Sequence, residues 1–141
     1  MIRPARTEEL DAIRDLFREY GEFVGSPICF QNFAREIAAL SGEYFCLIVA
    51  EESGRLVGCA ALREIAEGIC EMKRLYVRPA FQGRGLGRSL TEQIIREATA
   101  TGYTLLRLDT LPVMGGALAL YRSLGFREIP PYGGNPPETI C

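Results

Sequence analysis

Between Tyr44 and Val77 the chain reads YFCLIVAEE (44–52), RLVGCAALRE (55–64) and GICEMKRLYV (68–77), three apolar runs separated by the turn signals Ser53-Gly54 and Glu67-Gly68. Connections this short act as turns between strands. A parallel neighbour needs a crossover of a dozen residues or more, whereas a turn of two residues can only reverse the chain. The stretch is therefore an antiparallel meander, and everything else the chain builds has to pack against it.

Upstream, MIRPA (1–5) reads as a short first strand. Thr7 is placed to cap a helix whose first turn carries Glu8, Glu9 and Asp11, acidic residues that suit a helix start. Leu10, Ile13, Leu16, Phe17 and Tyr20 give that helix an apolar stripe. A loop through Gly21, Gly25 and Pro27 leads to a second short helix with Phe33, Ile37 and Leu40 on one face, stopping at Ser41 and Gly42. Downstream, a glycine-rich turn opens a helix along Leu86, Leu90, Ile94, Ile95 and Ala98 that Gly102 closes. The next strand, YTLLRLDT (103–110), returns across that helix and so pairs parallel with its predecessor. GGALALYRSLGF is a last helix ending at Gly125, and FREI and ETIC follow as short strand candidates. The expected class is α/β with a mixed, mostly antiparallel sheet, in one domain over residues 1–141.

Composition narrows the function classes. A chain of 141 residues that is 48% hydrophobic and 24% charged has room for one core. No apolar run approaches the roughly 20 residues of a membrane span, and the N-terminus enters charged residues at once, so a cytoplasmic protein without membrane contact is expected. A net charge of only -2 argues against a nucleic-acid partner. Histidine is absent altogether. That removes Ser-His-Asp and Cys-His machinery and any His-ligated metal, so no metal is expected and catalysis must draw on carboxylate, tyrosine, backbone amides or water. The five cysteines contain no CxxC pair and read as buried free thiols.

The stretch VRPAFQGRGLGRSLTEQIIREA carries the chemistry. Gly83, Gly85 and Gly87 alternate with Arg84 and Leu86, flanked by Arg78 and Arg88, directly before a helix. A helix start offers amides without intrahelical partners and the positive end of the macrodipole, and glycine lets the backbone approach an anion closely. Arg84 and Arg88 add donors suited to phosphate. A turn that binds nothing is the plain alternative. A Walker A loop is excluded because its lysine and hydroxyl are missing. The spacing is GxGxG, which fits a dinucleotide fingerprint poorly, although Asp109 lies roughly where that motif has its acidic residue.

These residues resemble the GNAT superfamily of acyl-CoA-dependent N-acetyltransferases. The family signature, Gln or Arg followed by x-x-Gly-x-Gly or Ala, is met by Gln82, Gly85 and Gly87. A second pattern, A-x-x-x-Y-x-x-x-G-F, is met by Ala117, Tyr121, Gly125 and Phe126. The resemblance runs from IRPARTEELDAI to GFREIPPY. It implies about four helices flanking the sheet, with the fourth and fifth strands parallel and splayed.

For the site, the resemblance implies that Gln82, Gly83, Arg84, Gly85, Leu86, Gly87 and Arg88 wrap the pyrophosphate of acetyl-CoA. The pantetheine arm pairs with the edge of the fourth strand at Leu75, Tyr76 and Val77. Tyr121 matches the tyrosine that protonates the departing thiolate; its plain alternative is packing beside Leu118 and Leu124. Glu71 matches a glutamate that acts as base, directly or through water, and its alternatives are a solvated carboxylate or a partner for Lys73 or Arg74. An oxyanion donor is implied at the backbone near Leu75 or Tyr76. Cys70 lacks an activating group and is a poor nucleophile candidate.

The implied reaction moves an acetyl group to a primary amine, first of all that of a small metabolite, by direct attack in a ternary complex. A protein lysine or N-terminus is the second acceptor choice, and a noncatalytic acyl-CoA-binding sensor is the alternative of a different class. The acceptor is expected between the first two helices and the last loop, near Tyr20, Phe23, Phe30, Tyr132 and Asn135. Two places depart from the family pattern. Gly115 and Gly116 stand where many members have a CoA-holding asparagine. ETIC is also short for a final strand, which fits a shortened chain or an edge completed by a second chain in a homodimer.

Overall fold

The structure is a computed structural model that describes residues 1–24, 44–108 and 115–127, with backbone only at 21–24 and 115–118. Among the described residues five strands form one sheet in sequence order: β1 (Ile2–Pro4), β2 (Cys46–Glu52), β3 (Arg55–Ala66), β4 (Ile69–Val77) and β5 (Leu105–Arg107). The first four run antiparallel, and β5 pairs parallel with β4. The meander follows from its turns. Ser53 (φ 52°) and Gly54 (φ 79°) are both left-handed, the combination whose twist matches a two-residue hairpin. Gly68 (φ 77°) serves the turn between β3 and β4.

Strand alternation divides the sheet into two apolar faces. On one, Ile48, Ala50, Leu62, Cys70 and Met72 pack against Leu90, Ile94 and Ala98 of α2 (Leu86–Thr101) and against Tyr121 of α3 (Gly115–Ser123). On the other, Val49, Cys59, Ala61 and Tyr76 pack against Ile13, Leu16 and Phe17 of α1 (Leu10–Val24) and against Tyr44. Each large side chain removed from water here contributes about 1.5–3 kcal/mol.

The first helix differs from its sequence reading at both ends. Its entry is a 3-10 turn over Thr7–Glu9 with Arg6, not Thr7, at the cap position. The Arg6 amide donates to Glu9 Oε1 at 2.8 Å, the reach-back of a carboxylate at the third helical position to the cap residue's own amide. Arg3 then forks onto both Glu9 oxygens (2.8 and 2.7 Å) and reaches Glu51 Oε1 at 3.0 Å, tying β1, β2 and the helix start together. This hydrogen bonding holds the Glu9 carboxyl down at about 2. At the other end the helix continues through Gly21 to Val24, where a loop was expected. One glycine costs a helix about 1 kcal/mol relative to alanine. That is less than the packing of the preceding turn supplies, where Tyr20 meets the Tyr76 ring edge-on at 6.2 Å.

Gly102 (φ 99°) closes α2 as expected. The strand that follows is shorter than 103–110. Tyr103 lies outside it, stacked on Phe45 at 5.1 Å with its hydroxyl donating to Glu64 at 2.6 Å. Asp109 and Thr110 lie outside the described residues. Gly125 (φ 95°) follows α3, and Phe126 and Arg127 are not in a strand. Three helices of the expected four are described; the one anticipated at Phe33, Ile37 and Leu40, the end of FREI, and ETIC lie outside the described residues.

Candidate active site

The parallel pairing of β4 with β5 covers only Ile69↔Leu105, Cys70↔Leu106 and Glu71↔Arg107. Beyond Glu71, from Met72 to Val77, β4 has no β5 partner among the described residues, and Asp109 onward lies outside them. Arg78 N donates to Val57 O at 2.9 Å. Alternation along the antiparallel pair then turns the backbone groups of Tyr76 toward β3 and those of Leu75 and Val77 toward the open edge. Backbone groups left without a ladder partner need another, and an extended amide-bearing ligand supplies one.

A bulge interrupts β4 at this point. Its register with β3 moves from Cys59↔Tyr76 to Ala61↔Lys73, so Ala60 opposes both Arg74 and Leu75. Arg74 has φ 58°, a left-handed conformation that costs a residue with a Cβ about 1–2 kcal/mol and that bulges of this kind usually assign to glycine. The extra residue reverses the alternation. Cys70, Met72, Leu75 and Val77 pack on the α2 side, while Tyr76 joins the α1 side. Cys59 Sγ donates to Arg74 O at 3.4 Å, and the Arg74 guanidinium lies over the Tyr20 ring, 5.5 Å from its centroid. Tyr76 Oη donates to Glu19 Oε1 at 3.3 Å, and Arg78 clamps the same carboxylate at 2.9 Å.

Gly58, on β3 opposite Val77, sets a different distance. A Cβ there would stand 2.9 Å from Tyr76 O and 3.3 Å from Leu90 Cδ1, so only a hydrogen fits between β4 and α2.

The glycine stretch turns from β4 into α2. Arg78 leads into a single 3-10 turn (Pro79–Phe81), and Gln82 Nε2 donates back to Val77 O at 2.9 Å. Gly83 (φ 81°) and Gly85 (φ 78°) are left-handed, and nothing lies within 4 Å of a Cβ built on either. Gly85 caps α2 without a side-chain hydrogen bond, so the first-turn amides face outward unoccupied by a capping side chain. Gly87 differs: it is helical, and among the described residues its Cβ would meet only Leu120 Cδ2, at an ordinary 3.7 Å, so nothing described requires glycine there. Arg84 reaches Glu52 at 3.3 Å and lies over the Phe81 ring, and Arg88 contacts Glu92 (3.2 Å) and Ser123 (3.1 Å). Both guanidiniums are more than half exposed at the rim of this turn.

Glu71 and Tyr121 stand on opposite faces of the sheet. Glu71 is 1% exposed, so it is not a solvated carboxylate. Arg63 Nε donates to its Oε1 at 2.8 Å and Lys73 Nζ lies 3.8 Å from the same oxygen, while Arg74 turns to Tyr20 instead. Arg63 escaped the sequence reading, since only the register Arg63↔Glu71 brings it there; two charges of opposite sign on adjacent strands were the available signal. Tyr121 is buried in the α2-side cluster, edge-on to Phe126 at 5.8 Å. Cys70 lies on that same side, away from Glu71. Burial pushes its thiol up to about 11 and that of Cys59 to about 12, leaving both protonated at neutral pH. Of the acceptor-side aromatics, Tyr20 is placed beside the bulge, whereas the side chains of Phe23, Phe30, Tyr132 and Asn135 lie outside the described residues. No described helix is long and apolar enough to cross a membrane.

This geometry has counterparts. The family model "Acetyltransferase (GNAT) family" matches residues 10–126. An uncharacterized N-acetyltransferase of Schizosaccharomyces pombe is 38% identical over 94% of this chain and 85% of its own length. The IAA acetyltransferase of Azospirillum brasilense is 33% identical over 92% and 86%. Among solved structures, an acetyltransferase from Streptococcus agalactiae superposes with a TM-score of 0.82 at 21% identity, covering 99% of this chain and 94% of its own. The Salmonella typhimurium protein yncA, a putative acetyltransferase solved with acetyl-CoA, gives 0.75 at 24% identity, covering 91% and 79%. A glycine turn without a capping side chain between β4 and α2, on a chain that matches the family model over residues 10–126 and a curated N-acetyltransferase over 94% of its length, makes this protein an acetyltransferase of the GNAT family.

Proposed function

We propose that the protein transfers the acetyl group of acetyl-CoA to a primary amine, that of a small metabolite, by direct attack with both substrates bound. The observation that carries this reading is the continuity of the β4 edge beyond Glu71 with the glycine turn: the Leu75 backbone and the Val77 amide face that edge, the Val77 carbonyl being taken by Gln82, and a few residues on, α2 starts without a capping side chain, as a phosphate site requires. The residues from Gln82 to Arg88 hold the pyrophosphate, with Arg84 and Arg88 at the rim. Leu75, Tyr76 and Val77 hold the pantetheine strand-fashion.

The two titratable groups take opposite tasks. Glu71, on the α1 side, accepts the proton the amine must lose, directly or through water, and Arg63 and Lys73 hold its carboxylate in place. Tyr121, on the α2 side, protonates the departing thiolate; a phenol whose ordinary pKa is about 10 is protonated at neutral pH. The amide of Leu75, turned to the open edge by the bulge, is the donor for the oxyanion that develops as the thioester is attacked. Glu71 and Tyr121 on opposite sides of one edge suit an amine arriving from one face and a thiol leaving past the other.

The test is CoA thiol release over a panel of small amines, amino acids and lysine-bearing or free-N-terminal peptides, with acetyl-CoA binding followed by calorimetry. Turnover confined to small amines is expected. Turnover confined to peptides overturns the acceptor class, and binding without turnover across the panel favours a sensor.

A further inference from the structure

Arg74 occupies a conformation that a residue with a Cβ leaves unless something holds it. Two elements do so. From β3, the buried Cys59 thiol donates to the Arg74 carbonyl, which the bulge has turned out of the regular ladder. From α1, the Tyr20 ring lies under the Arg74 guanidinium, itself located edge-on by Tyr76. The next residue back on α1 is Glu19, which takes the Tyr76 hydroxyl and the Arg78 guanidinium. The thiol keeps its proton throughout the working range, because burial pushes it up to about 12.

We propose that Cys59 and Tyr20 are positioning residues for acyl transfer: together they hold Arg74 left-handed and so keep the Leu75 amide at the open edge of β4. The inference rests on the reading of that amide as the oxyanion donor. Its physical content is parity. Were Arg74 to relax to an ordinary strand conformation, the bulge would be lost or move, and every residue beyond it would exchange faces. Tyr76 would then turn toward α2 and the Leu75 amide toward β3.

Glycine provides the test, since it adopts left-handed φ without a Cβ penalty. With acetyl-CoA and the best acceptor from the panel, Cys59→Ala and Tyr20→Leu should each lower kcat about threefold to tenfold. Cys59→Ser, which keeps a donor, should recover part of the loss. In an Arg74→Gly background the same two substitutions should change kcat by less than about twofold, because the bulge no longer needs support. Undiminished kcat in both single variants, or an equal loss in the Arg74→Gly background, overturns the proposal. Amide hydrogen exchange over Leu75–Val77, which needs no turnover, separates the two layers of the argument. It should quicken in Cys59→Ala and return toward wild type when Arg74→Gly is added. If exchange behaves so while kcat stays constant, the oxyanion role of Leu75 falls. If exchange does not respond, the support itself falls.

Discussion

On the side of the β4 edge proposed to hold the cofactor the chain presents main chain: the Leu75 and Val77 backbone, left-handed Gly83 and Gly85, and the first turn of α2 without a capping side chain. On the side proposed to meet the acceptor it presents side chains brought together from different strands, with Glu71 of β4 held by Arg63 of β3, eight positions earlier in the chain. Main chain can address only what every substrate pair shares, the phosphates and amides of the acyl donor. Side chains can be exchanged one at a time, so the half of the site that varies in specificity is the half built from them.

The contrast can be broken at its strongest point by Tyr121→Phe. The ring stays edge-on to Phe126, so the packing persists, yet kcat should fall by about 10² to 10⁴ with acetyl-CoA affinity little changed. A kcat within threefold of wild type would return Tyr121 to a packing role. Glu71→Gln comes next, with an expected loss of about 10- to 100-fold and a flattened acidic limb in the pH-rate profile. A limb that stays in place assigns the base to water or another residue.

The glycine turn sharpens the comparison, because its glycines fail for different reasons. Gly85→Ala places a Cβ at φ 78° and should cost about 1 kcal/mol of stability, read as a lower urea midpoint. Gly87→Ala should leave the melting temperature unchanged or higher, since a helical glycine is a poor helix former and the site has room for a methyl group. Gly87→Val should then weaken acetyl-CoA binding about tenfold or more in a folded protein, because the obstructed partner is the phosphate. Unchanged affinity in that variant would remove the pyrophosphate from this turn.

The smallest effect is a control. Glu9 is another carboxylate in an Arg fork, remote from the β4 edge. Its pKa lies at about 2 in the fold against 4.5 ordinarily, so its stabilising contribution is present above about pH 4.5 and is lost as pH falls toward 2. Glu9→Gln should reduce the acid dependence of the urea midpoint between those pH values and leave kcat alone. A change in kcat comparable to that of Glu71→Gln would mean that losing any Arg-held carboxylate perturbs the enzyme.

The meander, the glycine turn and α2 were legible because each depends on neighbours in sequence: two-residue turns, a period of two giving way to a helical period, and Gly102 at a left-handed φ. The start of α1 was misread because the cap position falls on Arg6, whose amide Glu9 reaches back to, rather than on Thr7. Its end was misread because a tertiary contact at Tyr20 outweighs the local preference of Gly21. The bulge at Arg74 left no mark in the letters, since nothing about an arginine announces left-handed φ. Arg63 was missed for a related reason: its partnership with Glu71 exists only once two strands have settled their register.

Gly58 gives the protein engineer a boundary. The contact it makes is between two backbones, with Tyr76 O 2.9 Å from where a methyl carbon would begin. Position 58 is therefore a gauge block: a methyl group there would push against the strand that carries Glu71, Leu75 and Val77.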